Sequence, residues 1–592
     1  MKPGRASLIA LAGLALVGAG PFVTDAYLTN TLIKAFFFGI AAITVDILWG
    51  YAGYLTFGQS VFFGIGAYSA GLVFTYQGFS GMSIALALGA AVGAAAILGF
   101  LAGWLSFYRG AAPFFASIIS LVLPIAMSQL ALSGGSFTGS SSGLTGFESF
   151  DFSMEEWFWI AGYSLMACGL LGWKLVNSDA GRILTSMRDN SNRCAYLGIN
   201  TSAINTALLA ACAIAASLAG FGYGSFSCVV APELLGFSLG TEFIVWVALS
   251  GRGTLWGPLV GTVLFNVTSS YLSGSMPFMW QLLLGFSFVL VIILLPGGLI
   301  PLLARPFAVN KKSVPELVEA RPGEKALPEK GWPHAIEMNR VYKKYGSLSV
   351  LRDITFHAES GELVGIIGPN GAGKTTLMRC LSDGGERTDG LVKIYGNDIE
   401  RFPPEQCVRF GLGRKFQNAN IFDSLTVAEC LRLARSIKER PSFLEKKRTL
   451  ALPPYVLDVL RLTDLDKKLP VPARDLSHGE QQALELAMVL ALEPLVILLD
   501  EPTAGLTKAE RTRIGKVLVS LARDHGLCCL LVEHDLDFVK EIATRVIVLH
   551  QGCIIMQDTV DRVVDSELVR SIYAGTDFYA GPGRKGLREG AA

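Results

Sequence analysis

Gly368-Pro369-Asn370-Gly371-Ala372-Gly373-Lys374-Thr375-Thr376 is the stretch around which the rest of the chain is ordered. It has the spacing G-x-x-x-x-G-K-[ST] of a phosphate-binding P-loop. Leu363-Val364-Gly365-Ile366-Ile367 before it reads as a buried parallel strand, and Leu377-Met378-Arg379-Cys380-Leu381 after it continues as a helix. That strand–loop–helix setting is what the motif requires. Gly368, Gly371 and Gly373 let backbone N–H groups approach a polyphosphate, and Asn370 sits among them. The helix N-terminus attracts the anion, Lys374 reaches the β- and γ-phosphates, and Thr375 and Thr376 offer hydroxyls.

Composition divides the chain in two. Its 592 residues exceed what one domain holds. Hydrophobic residues make up 51% and charged residues 17%, and the mean hydropathy is +0.46. The apolar runs concentrate in residues 1–300, so a membrane domain is expected there. A linker over 301–333, rich in proline and charge, separates it from a soluble α/β half over 334–575, and the tail 576–592 has the composition of a disordered segment. A net charge of +1 gives no basic signature for nucleic acid. The ten cysteines form no C-x-x-C pair, which argues against zinc or a disulfide framework. All six histidines follow residue 330, leaving none in the apolar half for a proton relay.

About 20 apolar residues span a bilayer. Candidate spans are 6–23, 31–49, 52–76, 82–106, 112–132, 156–174, 203–228, 236–250, 257–272 and 278–297. Lys2 and Arg5 precede the first, which lacks a signal-peptide cleavage site and is expected to be retained. Arg109, and the cluster Lys174, Arg182, Arg188 and Arg193, mark cytoplasmic loops. Segment 133–155 has no Lys or Arg but holds Glu148, Asp151 and Glu155, and is expected outside. The nucleotide-binding half must be cytoplasmic, where ATP is. An even number of crossings is therefore needed after the 174–200 loop. Splitting 236–272 at Gly251-Arg252-Gly253 satisfies this and gives about ten spans.

Two stretches are too polar and glycine-rich for lipid-facing helix: Trp49 to Ser60, and Gly134 to Phe147. Irregular backbone at membrane depth must lie against protein or water. The first fits either a broken helix along a polar solute path or close packing through small residues. Asp46 and Glu242 are candidate intramembrane acids, a residue class that is functional by default, and an interfacial position is equally open to Glu242. The segment from Ser178 to Gly198 mixes apolar and charged residues and is expected to form an amphipathic cytoplasmic helix suited to docking.

Asp46-Ile47-Leu48-Trp49-Gly50-Tyr51-Ala52-Gly53, Gly143-Leu144-Thr145-Gly146, Arg188-Asp189-Asn190 with Leu197-Gly198, and Gly251-Arg252-Gly253-Thr254-Leu255-Trp256-Gly257 together resemble one permease family. It serves importers of branched-chain amino acids, urea and short amides, and the resemblance covers most of residues 30–300. It implies that the 180–200 loop contacts an ATPase.

The soluble half carries its motifs in a fixed order. Tyr345 is placed to stack on adenine. Gln417, in Gly413-Arg414-Lys415-Phe416-Gln417, can reach Mg²⁺ and the attacking water. Leu476-Ser477-His478-Gly479-Glu480 opens an amphipathic helix. Leu495 to Leu499 is an apolar strand ending in Asp500 and Glu501, and Leu530-Leu531-Val532 precedes Glu533 and His534. Asp500 is suited to hold Mg²⁺ with Thr375 and Gln417. Glu501 is suited to orient or deprotonate water, and His534 to bind the γ-phosphate and position Glu501. Positioning and charge stabilisation suffice for phosphoryl transfer.

This set resembles an ATP-binding-cassette (ABC) ATPase over residues 335–575. The resemblance implies that Ser477 to Glu480, with Ser477 and Gly479 retained from the usual L-S-G-G-Q, contact the ATP of an opposite subunit. His478 and Glu480 depart from that pattern, and Glu480 brings negative charge near a phosphate. His478, Gly413 to Gln417, Val548-Leu549-His550 and the Asp46–Tyr51 run are similar to urea-type members.

The expected architecture is an all-α polytopic membrane domain followed by an α/β P-loop NTPase, fused in one chain. The resemblance implies an ATP hydrolase that imports a small polar solute across the bacterial inner membrane, using ATP and Mg²⁺. It also implies a second permease and second ATPase, unlike subunits rather than a homodimer, and a periplasmic solute-binding protein. Two alternatives use the same motifs. One is an ABC exporter, although fused exporters usually carry six spans. The other is an ATP-gated regulator or channel without uphill transport.

Overall fold

The computed structural model describes residues 3–108, 113–276, 279–294, 297–300, 315–320, 334–439, 441–442, 449–503 and 505–574. Lys2, Arg109, the tail 576–592 and most of 301–333 lie outside them. The chain forms two compact units. One comprises Met1–Arg188, Thr201–Lys312 and Ser442–Lys446. The other comprises Asp189–Asn200, Ser313–Pro441 and Lys447–Ala592.

The first unit is helical. Ten apolar helices match the ten expected segments: α1 (Pro3–Val23), α2 (Ala26–Asp46), α3 (Gln59–Gln77), α4 (Gly81–Phe107), α5 (Pro113–Ser133), α6 (Met154–Asn177), α8 (Thr201–Ser227), α9 (Phe237–Ser250), α10 (Trp256–Ser275) and α11 (Trp280–Leu294). Between α6 and α8 runs the amphipathic α7 (Asp179–Ala195). Among the described residues, five helices are long and apolar enough to cross a membrane by length and composition. Helix α9 has only 14 residues.

Helix α4 shows why this unit suits lipid. Its buried face is small: Ala87, Ala91, Ala95, Gly99 and Ala102. Ile97, Phe100, Leu101 and Trp104 point outward. Large residues outside and small residues at the contact is the membrane pattern. The same logic brings α3 against α8. A Cβ on Gly66 would stand 1.7 Å from the Ser217 carbonyl oxygen, and one on Gly220 would stand 1.8 Å from that of Phe63.

The expected span 52–76 starts later. Helix α2 passes into a π-turn (Ile47–Tyr51), followed by irregular chain until Gln59. Gly53 in this segment has φ +79°, a left-handed conformation that glycine adopts at little cost. Ala52, Tyr54 and Thr56 are buried, so the irregular backbone lies against protein. Asp46 is fully engaged as a loop clamp. Its Oδ1 accepts from the Gly253 N–H at 2.6 Å and its Oδ2 from the Leu255 N–H at 2.9 Å. Glu242 lies half-buried on α9. In the Gly134–Phe147 stretch, β1 (Leu144–Thr145) pairs antiparallel with β2 (Val229–Val230).

The second unit is α/β. Its main sheet has the order β14-β13-β6-β12-β11-β9. The strands are β6 (Leu363–Ile367), β9 (Leu412–Lys415), β11 (Val496–Asp500), β12 (Cys528–Val532), β13 (Arg545–His550) and β14 (Cys553–Asp558). All pair in parallel except β14. Strands β6, β11 and β12 are buried along their whole length, as expected for a parallel sheet covered on both faces. A second, antiparallel sheet runs β5-β4-β7-β8, from β4 (Ile336–Tyr345), β5 (Leu348–Ala358), β7 (Asp389–Ile394) and β8 (Asn397–Asp398).

Two segments expected elsewhere belong to this unit. Residues 316–319, placed in the linker by composition, form β3 (Glu316–Glu319), which pairs in parallel with β10 (Thr449–Leu452). Leu317 and Val318 stand side by side between Glu316 and Glu319, a signal too short to mark a strand among the surrounding prolines. Residues 189–200, from the membrane half of the sequence, also fold here.

Candidate functional site

The carboxyl ends of four adjacent strands assemble the site. The P-loop leaves β6, Gln417 follows β9, Asp500 and Glu501 end β11, and Glu533 and His534 follow β12. Ligands bind at strand carboxyl ends in open parallel sheets, and the order β6-β12-β11-β9 makes these four ends neighbours.

Within the P-loop, Gly368, Gly371 and Gly373 have φ of +155°, +82° and +104°. A Cβ on Gly368 would stand 2.1 Å from the Leu549 carbonyl oxygen, so glycine is required there. Asn370 lies between them in the loop. The helix Lys374–Ser382 starts at the end of the loop with Thr375 and Thr376 in its first turn. The Lys374 ammonium donates to the carbonyls of Gly368, at 2.6 Å, and Pro369, at 3.1 Å. Burial lowers its pKa, and Glu501 and Asp500 oppose that shift.

Glu501 is held from two sides. Gln417 Nε2 donates to Glu501 Oε2 at 2.9 Å. His534 Nε2 lies 2.9 Å from Glu501 Oε1. Glu501 has φ +46°, and its N–H donates to the Val532 carbonyl at 2.9 Å. A non-glycine residue with positive φ is uncommon, and such strain is often found at functional sites. The turn redirects the chain so that the carboxylate points between Gln417 and His534. Asp500 is buried, and burial raises its pKa, with Arg414 the first counter-charge.

Magnesium fits this donor set. Among the described residues no cluster of three or more His, Cys, Asp or Glu could hold a metal alone. Mg²⁺ bound with a nucleotide needs only one or two carboxylates besides phosphates and water. Asp500, Thr375 and Gln417 are hard oxygen donors, and the buried Asp500 carboxylate gains from a cation.

Tyr345 ends β4 and is 45% exposed. The Lys343 ammonium lies over its ring at 4.5 Å, and its hydroxyl donates to Glu386 at 3.3 Å. Ser477 and Gly479 stand apart from the P-loop group. Ser477 caps the helix His478–Ala491, its Oγ accepting from the Glu480 N–H, while Glu480 Oε2 accepts from the Ser477 N–H at 3.0 Å. The Lys468 ammonium meets Glu480 Oε1 at 2.5 Å. The charge that raised concern in the sequence is therefore spent on a capping box and an ion pair. The His478 ring packs on Gly505.

Sequence reasoning missed the side chains that support Gln417. Lys415 is fully buried, and its Nζ donates to the Phe416 carbonyl at 3.1 Å and to Gln482 Oε1. Gln482 Nε2 donates to the Gln417 carbonyl at 3.1 Å. Glu485 Oε1 accepts from the Phe416 N–H at 3.2 Å and lies 3.4 Å from Arg193 Nη1. Arg193 also donates to the Arg414 carbonyl at 2.8 Å, and the Tyr196 ring meets Phe416 edge-on. Asp189 accepts from the Ser424 N–H at 2.9 Å and from its hydroxyl. Nothing in the spacing of Arg193, Lys415 and Glu485 links them. Nearby, Glu533 Oε1 accepts from the Thr503 hydroxyl at 2.6 Å and its N–H at 3.2 Å, fixing the turn after Glu501.

Residues 27–294 match the model of the branched-chain amino acid transport system permease component, and residues 351–504 match that of the ABC transporter. The high-affinity branched-chain amino acid transport ATP-binding protein BraF of Pseudomonas aeruginosa is 29% identical over 251 residues, covering 40% of this chain and 97% of BraF. The methionine import ATP-binding protein MetN of Thermobifida fusca is 34% identical over 248 residues, covering 41% of this chain and 75% of MetN. A solved ADP-bound cassette of an ABC transporter is 26% identical, with a TM-score of 0.36 over 41% of this chain and 99% of its own.

Proposed function

Because the chain belongs to the ABC transporter family, with a helical permease and an ATPase in one polypeptide, we propose that it imports a small polar solute across the bacterial inner membrane. The solute class is urea, a short amide or a branched-chain amino acid. The observation that carries this reading is the occurrence of a branched-chain amino acid type permease ahead of a cassette in one chain. The chain acts as a fused half-transporter with its ATPase cytoplasmic. It works with a second permease and second ATPase, and receives solute from a periplasmic binding protein.

ATP hydrolysis supplies the energy. The P-loop N–H groups and Lys374 hold the β- and γ-phosphates, and Tyr345 stacks on the base. Lys374 exchanges its loop carbonyls for phosphate oxygens, which regains a full charge-assisted interaction. Thr375, Asp500 and Gln417 hold Mg²⁺, which when bound neutralises charge on the phosphates. Glu501 accepts a proton from water as its oxygen attacks the γ-phosphorus, and the bond to the bridging oxygen breaks to leave ADP. Gln417 and His534 keep the Glu501 carboxylate aimed, and His534 donates to the γ-phosphate. Ser477 and Gly479 complete the ATP site of the opposite subunit.

The test is reconstitution in proteoliposomes with the partner subunits and the solute-binding protein. Hydrolysis should rise when the binding protein carries its solute, and labelled urea, acetamide or leucine should accumulate inside cells. Hydrolysis stimulated by hydrophobic drugs, and by no liganded binding protein, would overturn the import reading.

A further inference from the structure

Glu501 acts from a backbone conformation that has to be enforced. Its φ is +46°, and a non-glycine residue stays at positive φ only where its surroundings over-determine it. Before Glu501 the restraint is the sheet. Asp500 pairs with Val532 in the β11–β12 register, and the Glu501 N–H donates to the Val532 carbonyl at 2.9 Å. Beyond Glu501 the strand pairing ends, and Pro502 has no N–H to offer. The chain is caught again at Thr503.

Glu533 is what catches it. Both residues are buried, Glu533 to 4% exposure and Thr503 to 3%. Glu533 Oε1 accepts from the Thr503 hydroxyl at 2.6 Å and from its N–H at 3.2 Å. Glu533 Oε2 accepts from the His534 N–H at 3.3 Å. A buried carboxylate costs desolvation unless its oxygens are taken, and these three donors take both. An apolar side chain would fill the same space without that cost, so what the position supplies is the acceptors. The end of β12 therefore brackets the Glu501 turn, with the Val532 carbonyl on one side and the Glu533 carboxylate on the other. The same carboxylate also reaches the residue whose imidazole lies 2.9 Å from Glu501 Oε1.

We propose that Glu533 is a positioning residue for ATP hydrolysis, holding Glu501 in its strained turn and His534 in register with it. Without Glu533, Thr503 is released and Glu501 relaxes towards negative φ. Its carboxylate then leaves the 2.9 Å contacts with Gln417 and His534. The P-loop leaves a different strand, β6, so the hold on ATP is kept. The inference rests on the reading of Glu501 as the group that activates water.

The test is steady-state phosphate release by the full chain in proteoliposomes with its partner subunits, taken above the rate of Glu501→Gln. Equilibrium titration with a fluorescent nucleotide runs alongside. Glu533→Ala should lower kcat about 10- to 100-fold, the scale of loss when a reacting group is misplaced by about 1 Å, with KM for ATP and nucleotide affinity unchanged. Glu533→Gln, which keeps an oxygen for Thr503, should recover most of the loss. Thr503→Val removes only the hydroxyl bond. It should lower kcat alone and add little to Glu533→Ala, because the two changes break one contact. A parent-like kcat in Glu533→Ala would overturn the proposal, as would a Glu533→Gln no better than Glu533→Ala. Parallel losses of affinity and kcat in Glu533→Gln and Thr503→Val would also overturn it, since they mark a residue that only stabilises the fold. Should Glu533→Ala bind no nucleotide, Thr503→Val decides: a lower kcat at unchanged KM upholds the proposal, and a parent-like kcat overturns it. Full turnover in Glu501→Gln overturns the reading of Glu501 and this inference with it. Collapse in Glu501→Gln with parent-like kcat in Glu533→Ala and Thr503→Val overturns this inference alone.

Discussion

Replacing Glu485 with alanine tests whether a buried anion holds the Gln417 loop. Glu485 and Arg193 are both fully buried, with side-chain exposures of 0%. Burial pushes the Glu485 carboxyl up and the Arg193 guanidinium down, and each opposes the other's shift. Burial also pushes Lys415 down, with Glu485 the first opposing charge. Glu485→Ala leaves two buried cations without their anion and the Phe416 N–H without its acceptor. Breaking a buried ion pair from one side costs about 3–5 kcal/mol. Such a cost is a large part of the roughly 5–15 kcal/mol that holds a domain together. At roughly 2–4 °C per kcal/mol for a domain of this size, the cassette should melt on the order of 10 °C lower.

The assay is thermal unfolding of the full chain, using the transition that ATP raises, since binding to the native state stabilises it. Glu485→Gln keeps the acceptor for Phe416 but removes the charge, and should recover only part of the loss. Adding Arg193→Met to Glu485→Ala should cost less than the sum of the two by about 1 kcal/mol or more, because the residues touch. A melting shift of Glu485→Ala within error of the parent, or strict additivity of the pair, would refute the assignment of a buried electrostatic clamp.

Other expectations follow from the same geometry. Glu501→Gln should retain ATP binding while turnover falls by about 10²- to 10⁴-fold, measured as phosphate release. Lys374→Ala should weaken ATP binding itself, read by equilibrium titration with a fluorescent nucleotide. Burial raises the Glu480 pKa, but the Lys468 ammonium and the Ser477 N–H outweigh it and hold it below the usual carboxylate value. Its contribution is therefore present above the unfolded pKa of about 4.3 and lost as pH falls through the folded value. Amide exchange at 477–481 should accelerate on acidification in that range, and Glu480→Gln should remove the dependence. Ala320→Pro deletes the N–H that donates to the Leu452 carbonyl at 2.8 Å. It should free the β3 segment and speed proteolysis between residues 301 and 333, leaving hydrolysis unchanged.

The sequence by itself determined what depends on local chemistry. A P-loop needs glycines, a lysine and a hydroxyl at fixed spacing, so Gly368 to Thr376 announces itself. Apolar runs separate the membrane half from the cassette, and carboxylates at the end of an apolar strand mark Asp500 and Glu501. What only the tertiary structure decided depends on contacts between distant segments. Strand order brings Gln417 and His534 to opposite oxygens of Glu501. The pairing of β3 with β10 draws linker residues into the ATPase. The fold places 189–200 beside Ser424 and Glu485, and closes the Asp46 carboxylate on the 253–255 loop. A side chain's charge or polarity is written in the sequence, but its partner is set by backbone geometry, whether it lies 12 residues away, as Lys468 does from Glu480, or 209, as Leu255 does from Asp46. Glu480 shows the difference: as a letter it is a misplaced negative charge, and as a folded residue it is a helix cap neutralised by Lys468.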